Sequence, residues 1–123
     1  HLHAQLAWVK NEYDLTKYAM VKLFTSGSFF DPAEVPPTFR DEMAQAFRGK
    51  IVIAESRPEY ITAENLEGFV AALDDGTHRT PLYCAAGLET TSDMIREKCI
   101  NKGFSFADFK EAAARARALA GRR

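Results

Sequence analysis

The sequence predicts an α/β fold with about three parallel strands and flanking helices. Apolar runs occur at residues 19–24, 50–54 and 81–86, and the centres of successive runs lie 30 and 31 positions apart. The segments between them carry apolar side chains at helical spacing. A strand, a crossover helix and their loops take about 30 residues, so this rhythm predicts successive βα units. The runs show little polar alternation, which is typical of parallel strands covered on both faces.

Three amphipathic helices are predicted before and between the strands. Their apolar positions follow the helical period, in chain order at Leu2, Leu6, Val9 and Tyr13, then at Phe39, Met43 and Phe47, then at Leu66, Phe69, Val70 and Leu73. Thr62 stands where the N-cap of the third helix is expected. The first helix has no strand before it, so we expect the chain to begin inside a βα unit.

Two further helices are predicted after the last strand. Ser92 can cap a helix that runs to Asn101, with Gly103 as its stop, because glycine commonly follows a helix end. Ser105 and Asp108 then resemble a capping box that starts the final helix. Arginine and alanine alternate over residues 112–119, which predicts a face of that helix turned to solvent.

Composition limits the classes of protein to which the chain can belong. The chain has 123 residues, 46% of them hydrophobic and 27% charged, which is typical of one globular unit or a part of one. Its net charge of −1 gives no overall attraction to a phosphate backbone. No apolar run approaches the roughly 20 residues that cross a bilayer. We therefore expect no membrane association and a cytoplasmic location.

The cysteines and histidines do not predict a metal site. Cys84 and Cys99 are fifteen positions apart, in a predicted strand and a predicted helix, and this spacing matches no zinc or cluster motif. We interpret both as core thiols. His1 and His3 lie near the start of the sequence and His78 lies beside a predicted turn, so a shared metal site is not expected.

Polar segments follow all three predicted strands, at residues 25–29, 55–59 and 87–91. The carboxyl ends of parallel strands meet at one edge of a sheet, where ligands commonly bind. Glu55 and Glu89 are expected at this edge, where carboxylates can receive an ammonium group or ribose hydroxyls.

The segment Ser26, Gly27 and Ser28 is a second candidate for ligand contact, since glycine allows close approach and a positive φ. Each feature also has a structural interpretation. The serine-glycine segment can be an ordinary turn, Glu55 can pair within its own loop, and Glu89 can favour the dipole of the following helix. The residues alone therefore predict a parallel α/β unit with a polar edge and leave its ligand open.

Three longer segments carry a family resemblance. The stretches KLFTSGSFFDPAEVPP, IVIAESRPEYIT and GLETTSDMIREKCINKGFSFADF, in this order and spacing, resemble the radical S-adenosylmethionine (SAM) enzymes of the archaeosine synthase beta subunit type. The resemblance covers about residues 18–112. ESRPEY and NKGF are also similar, more distantly, to segments of the Elongator catalytic subunit, another radical SAM protein that modifies tRNA.

The resemblance implies a fold, a chemistry and partners. The fold would be part of a (β/α)6 partial TIM barrel. The whole enzyme would use SAM and a four-iron–four-sulfur (4Fe-4S) cluster to generate a 5′-deoxyadenosyl radical that acts on a modified 7-deazaguanine in tRNA. The expected partners are tRNA and the alpha subunit of archaeosine synthase.

The resemblance also implies roles for six residues. Ser26, Gly27 and Ser28 stand where relatives have a motif that contacts the SAM amino group, and here the contact would come from backbone and hydroxyl groups. Glu55 matches an acid that faces the methionyl part of SAM. Glu89 stands where relatives often carry glutamine. Lys102 lies near the position of an arginine that pairs with the SAM carboxylate, and its positive charge suits that role.

The cluster-binding CxxxCxxC motif of the family is absent from these residues. Residues 1–123 are therefore expected to be an internal fragment of a radical SAM barrel domain, inactive alone and able to self-associate through an exposed sheet edge. Two alternatives of other classes remain: a flavodoxin-like binding module, which should have about five strands, and an interaction domain without a ligand.

Overall fold

A three-stranded parallel sheet forms the centre of the described chain. The structure is a computed structural model and describes residues 1–122. Strands β1 (Met20–Leu23), β2 (Ile51–Glu55) and β3 (Leu82–Ala85) lie in the order β1-β2-β3, with Val52 paired to both Val21 and Leu82. The α/β class, the parallel pairing and the three strand positions are confirmed. The sequential order also differs from the 2-1-3 arrangement of flavodoxin-like sheets.

Helices precede, connect and follow the strands. They are α1 (Leu2–Glu12), α2 (Pro37–Phe47), α3 (Ala63–Leu73), a short α4 (Asp93–Ile95) that continues as a π-helical turn (Arg96–Ile100), and α5 (Phe106–Arg122). Single 3₁₀ turns occupy Leu15–Lys17 and Pro58–Tyr60. No described helix combines the length and the apolar character needed to cross a bilayer.

The sheet is covered on one face only within the described residues. Leu23, Val52 and Ala54 are buried in a core that includes side chains from α1, α2, α3 and α5. On the other face Met20 is 45% exposed and Tyr83 is 58% exposed. The expectation of two covered faces is therefore wrong for this part of the chain. Apolar strand residues did not distinguish a covered face from an open one.

Local capping follows the sequence closely at three helix starts. The Thr62 hydroxyl accepts a hydrogen bond from the backbone N–H of Asn65 at 3.2 Å, so the predicted N-cap is confirmed. Ser105 and Asp108 form the reciprocal pair of a capping box, with bonds of 2.7 and 3.0 Å. The Ser92 hydroxyl caps α4 through the N–H of Ile95 at 3.4 Å. These caps fix where the loops around the sheet end.

The end of the α4 segment agrees with prediction, whereas the face of α5 differs from it. The π-helical turn ends at Ile100 and its C-cap Asn101 adopts the left-handed conformation with φ 55°, so the predicted helix end is confirmed. On α5, Arg115 is partly buried and donates hydrogen bonds to the carbonyls of Ile61 and Pro58 at 2.7 and 3.2 Å. The Arg-Ala stretch is therefore not simply a solvent face, because Arg115 ties α5 to the loop after β2.

Candidate functional site

A polar cleft of about 280 Å³ lies at the carboxyl edge of the sheet. The loops after all three strands line it, and so does the loop between the π-helical turn and α5. Its walls are formed by Thr25, Ser26, Gly27, Glu55, Ser56, Arg57, Pro58, Gly87, Lys102 and Phe104. The parallel strands bring these loops together, as the sequence predicted for the strand ends.

The structure brings four of the six predicted site residues to the cleft wall. Ser26, Gly27, Glu55 and Lys102 line it. Ser28 lies beneath the cleft and is 1% exposed, so its side chain serves the loop framework. Glu89 does not line the cleft but contacts Lys102, and the two glutamates are not placed side by side.

Gly27 is needed for close approach rather than for its backbone angle. A Cβ atom on Gly27 would collide with the carboxylate of Glu34, and its φ lies outside the left-handed region. The Glu34 carboxylate accepts a hydrogen bond from the backbone N–H of Ser28 at 3.0 Å and another from the Thr25 hydroxyl at 3.4 Å. Glu34 therefore shapes this loop, a role that sequence reasoning missed because nothing in its own segment marks it.

Glu55 and Ser56 offer unused polar groups to the cleft. The Ser56 hydroxyl is 2% exposed and has no hydrogen-bond partner within residues 1–122. The half-buried carboxylate of Glu55 has neither a hydrogen bond nor an ion pair with any described residue. Buried polar groups in proteins are nearly always paired, so the unpaired Ser56 hydroxyl in the lining of this cleft, which also includes the unpaired Glu55, indicates a place for a polar ligand. Such a carboxylate can receive an ammonium group.

Lys102 brings positive charge to the lining of the same cleft. Its Nζ lies 3.1 Å from Oε1 of Glu89. The pair packs against Gly87, where a Cβ atom would lie 2.9 Å from the glutamate oxygen and 3.3 Å from the lysine nitrogen. Glu89 itself has a left-handed backbone with φ 65°. The cleft thus holds an unpaired carboxylate and a lysine whose existing partner lies outside the lining.

Arg96 holds Phe104 in place at the wall of the cleft. Its side chain is fully buried and donates a hydrogen bond to the Phe104 carbonyl at 2.9 Å, with others to the Thr90 carbonyl and to Asp93. The guanidinium carbons of Arg96 and Arg57 lie 5.5 and 5.7 Å from the centre of the Phe104 ring. Sequence reasoning missed Arg96, because an arginine in a helical segment is ordinarily exposed.

The described residues offer no ligand set for a metal. Both cysteines are free, and within residues 1–122 no group of three His, Cys, Asp or Glu side chains is arranged to hold an ion. Cys84 is partly buried in β3, and burial raises the pKa of its thiol to about 11. Cys99 is exposed, so its interpretation as a core thiol is wrong.

A second, apolar groove of about 310 Å³ lies between α1, α2 and the free edge of β1. Aliphatic and aromatic side chains such as Leu6, Phe39 and Phe47 dominate its lining. It lacks the convergent polar groups that orient a small polar ligand. We therefore regard the smaller polar cleft as the candidate site, and the groove as part of an open sheet edge.

Comparison with known proteins agrees with the family resemblance of the three long segments. No family model and no solved structure matches the chain. It is 46% identical over 98 residues to the archaeosine synthase subunit beta of Methanosarcina acetivorans, covering 76% of this chain and 27% of that protein. It is 35% identical over 97 residues to the protein of the same name from Thermococcus kodakarensis, covering 76% of this chain and 29% of that protein.

An uncharacterized protein of Methanocaldococcus jannaschii is 38% identical over 89 residues, which covers 69% of this chain and 23% of that protein. The chain therefore spans only about a quarter of the length of the curated relatives that it matches. Over most of its own length, it is similar to a segment of archaeal proteins named archaeosine synthase subunit beta.

Proposed function

We propose that this chain forms part of a radical SAM enzyme of archaeosine modification in tRNA, and that its polar cleft binds the methionyl end of SAM. The names of the two archaeosine synthase relatives support the pathway. The unpartnered Ser56 hydroxyl in a cleft that is also lined by the unpaired Glu55 is the observation that carries the binding site. Both stand at the carboxyl edge of parallel strands, where ligands of such sheets bind.

The residues of the cleft fit the polar groups of SAM. The methionyl end carries an ammonium and a carboxylate, and Glu55 and Lys102 offer the opposite charges from the same cleft. Ser56 would supply a hydrogen bond to whichever group lies over it. Bound SAM would supply the 5′-deoxyadenosyl radical, whereas the residues of this chain would bind and orient its methionyl end.

The 4Fe-4S cluster does not fit the described residues. Cluster binding needs three thiolates in addition to SAM, and Cys84 and Cys99 are two separate thiols in different elements. We derive no step of the reaction through the cluster. Our proposal assigns its ligands to residues outside this chain, in keeping with relatives that are about three times as long.

Our proposal also includes a partial (β/α)6 barrel and two partners. The free edge of β1 and the open face of the sheet, with Met20 and Tyr83 exposed, fit one wall of a barrel whose other strands continue from its edges. The tRNA substrate and an archaeosine synthase alpha subunit would be partners of the whole enzyme. Until those edges are covered, they also offer a route to self-association.

Replacing Glu55 tests the proposed function. Glu55→Gln keeps the size of the side chain and removes its charge, so we expect SAM affinity to fall about ten-fold with little change in thermal stability. Glu59→Gln is the matched control, because Glu59 lies in the same loop and pairs with Arg57 outside the proposed ammonium contact. Titration calorimetry and thermal melts measure both quantities. A lower melting temperature with unchanged SAM affinity would instead make Glu55 a structural residue.

A further inference from the structure

Two strained backbone positions lie on either side of one ion pair. Among the described residues, Glu89 and Asn101 are the two non-glycine residues with positive φ, at 65° and 55°. Asn101 immediately precedes Lys102, and Lys102 pairs with Glu89. Asparagine tolerates the left-handed conformation. Glu89 is the central residue of a three-residue turn, closed by the hydrogen bond from the Thr90 N–H to the Leu88 carbonyl at 2.7 Å, and such a turn with positive φ is rare and strained. The strain therefore falls mainly on Glu89.

The ion pair of Lys102 and Glu89 lies at the cleft whose lining includes an unpaired polar group. Lys102 lines the cleft together with Ser56, whose buried hydroxyl has no partner within residues 1–122. The Glu89 carboxylate contacts Lys102 from outside the lining, across Gly87. The Glu89 carboxylate thus pairs with the ammonium group of Lys102. A ligand carboxylate that bound Lys102 would take the place of Glu89.

We propose that Glu89 is a positioning residue that holds Lys102 at the cleft wall and yields it to the carboxylate of an incoming ligand. This inference rests on the proposed function and deepens it, because it makes carboxylate recognition an exchange of partners. Lys102 carries the same positive charge before and after the exchange. Glu89 gains water as its partner and is free to leave the left-handed conformation, which favours release.

The exchange makes a prediction that a fixed bridge does not. If Glu89 competes for Lys102, removing its charge must strengthen binding of a ligand that has a carboxylate and leave a ligand without one unaffected. A fixed structural bridge predicts the reverse, since Lys102 would lose its placement. Partly exposed ion pairs are weak, so the gain should be modest, about three- to five-fold in SAM affinity.

The experiment titrates the chain with SAM and with decarboxylated SAM, which lacks only the carboxylate. Glu89→Gln should bind SAM about three- to five-fold more tightly than the parent chain and bind decarboxylated SAM equally. Lys102→Gln should weaken SAM and leave decarboxylated SAM unchanged. Glu97→Gln, which removes one exposed charge from the neighbouring π-helical turn, is the control and should change neither affinity.

A second readout follows the backbone directly. The Cα and Cβ chemical shifts of Glu89 should move towards values of an ordinary conformation when SAM is added, and stay unchanged with decarboxylated SAM. Unchanged or weaker SAM binding by Glu89→Gln, while Glu55→Gln weakens both ligands, would overturn the exchange and leave the proposed site standing. No loss of either ligand in Glu55→Gln would overturn the site itself.

Discussion

The Ser28 hydroxyl accepts a hydrogen bond from the backbone N–H of Arg57 at 3.0 Å and so joins the loops that follow β1 and β2. A second bond runs beside it, from the N–H of Phe29 to the carbonyl of Glu55 at 2.9 Å. Ser28 is almost completely buried. The floor of the cleft is therefore set by contacts between loops that are 29 residues apart in sequence.

We expect Ser28→Ala to destabilise the chain and Ser26→Ala to leave its stability unchanged. Loss of the Ser28 hydroxyl leaves the partly buried N–H of Arg57 without an acceptor, which costs about 1–3 kcal/mol. Ser26 is exposed on the cleft wall and is the matched control. Urea unfolding measures both free energies. Equal free energies of unfolding for the two variants would show that the bond between the loops contributes nothing.

Replacing Arg96 should lower the free energy of unfolding more than replacing an exposed residue of the same π-helical turn. Arg96→Met keeps a long side chain but removes the donors to the carbonyls of Phe104 and Thr90, so we expect the free energy of unfolding to fall by about 1–3 kcal/mol. Lys98→Met, at an exposed position of the same π-helical turn, should change it little. Denaturant titration compares the variants, and an equal loss in both would argue against a role of the buried guanidinium.

The two cysteines should differ strongly in reactivity. Cys99 is exposed, whereas Cys84 is partly buried and its pKa is raised to about 11 by burial. The thiolate is the reactive form, so iodoacetamide near pH 8 should alkylate Cys99 first and Cys84 slowly. Mass spectrometry of digested samples follows both sites. In urea their rates should converge, and equal rates in the folded chain would contradict the placement of Cys84.

Asp75 should stabilise the turn before β3 in a pH-dependent way. Hydrogen bonds from the backbone N–H groups of His78 and Thr77, at 2.7 and 3.0 Å, hold the pKa of this carboxyl well below its usual range. A depressed folded-state pKa adds stability above the unfolded value of about 3.9, and this is lost as the pH falls towards the folded value. Asp75→Ala should therefore be less stable than the parent at pH 7.

The difference in stability between Asp75→Ala and the parent chain should shrink when unfolding is repeated below about pH 3.9. Urea titrations at pH 7 and pH 3 provide the comparison. A difference that stays constant across this range would mean that the ionised carboxylate is not what stabilises the turn.

Local chemistry made much of the fold predictable. Strand positions follow from apolar runs, and the caps at Thr62 and Ser105 follow from hydroxyl and carboxylate groups that bond within three residues of the helix start. The carboxyl edge of the sheet followed from parallel pairing, which is why Glu55 could be expected at the cleft. These predictions depend on contacts between residues that are close in sequence or related by a regular topology.

The features that the sequence did not reveal depend on contacts between residues that are distant in sequence, or on which face of the sheet is covered. Arg115 reaches a carbonyl 54 residues away, and no local pattern distinguishes it from the other arginines of α5. The open face of the sheet was missed because Ile53 and Tyr83 are as apolar as residues of a covered face. The contact between Glu89 and Lys102 joins two loops that are 13 residues apart in sequence, and no local pattern marks the two residues as partners.

The most direct test of the central claim is a titration of the ¹⁵N-labelled chain with SAM, followed by amide chemical shifts. If the polar cleft binds the methionyl end, the largest shifts should fall on the cleft loops, at Gly27, Ser56, Gly87 and Lys102. Amides of the apolar groove, such as that of Met43, should stay unchanged. Shifts confined to other surfaces, or none at millimolar SAM, would contradict the assignment of this cleft to SAM.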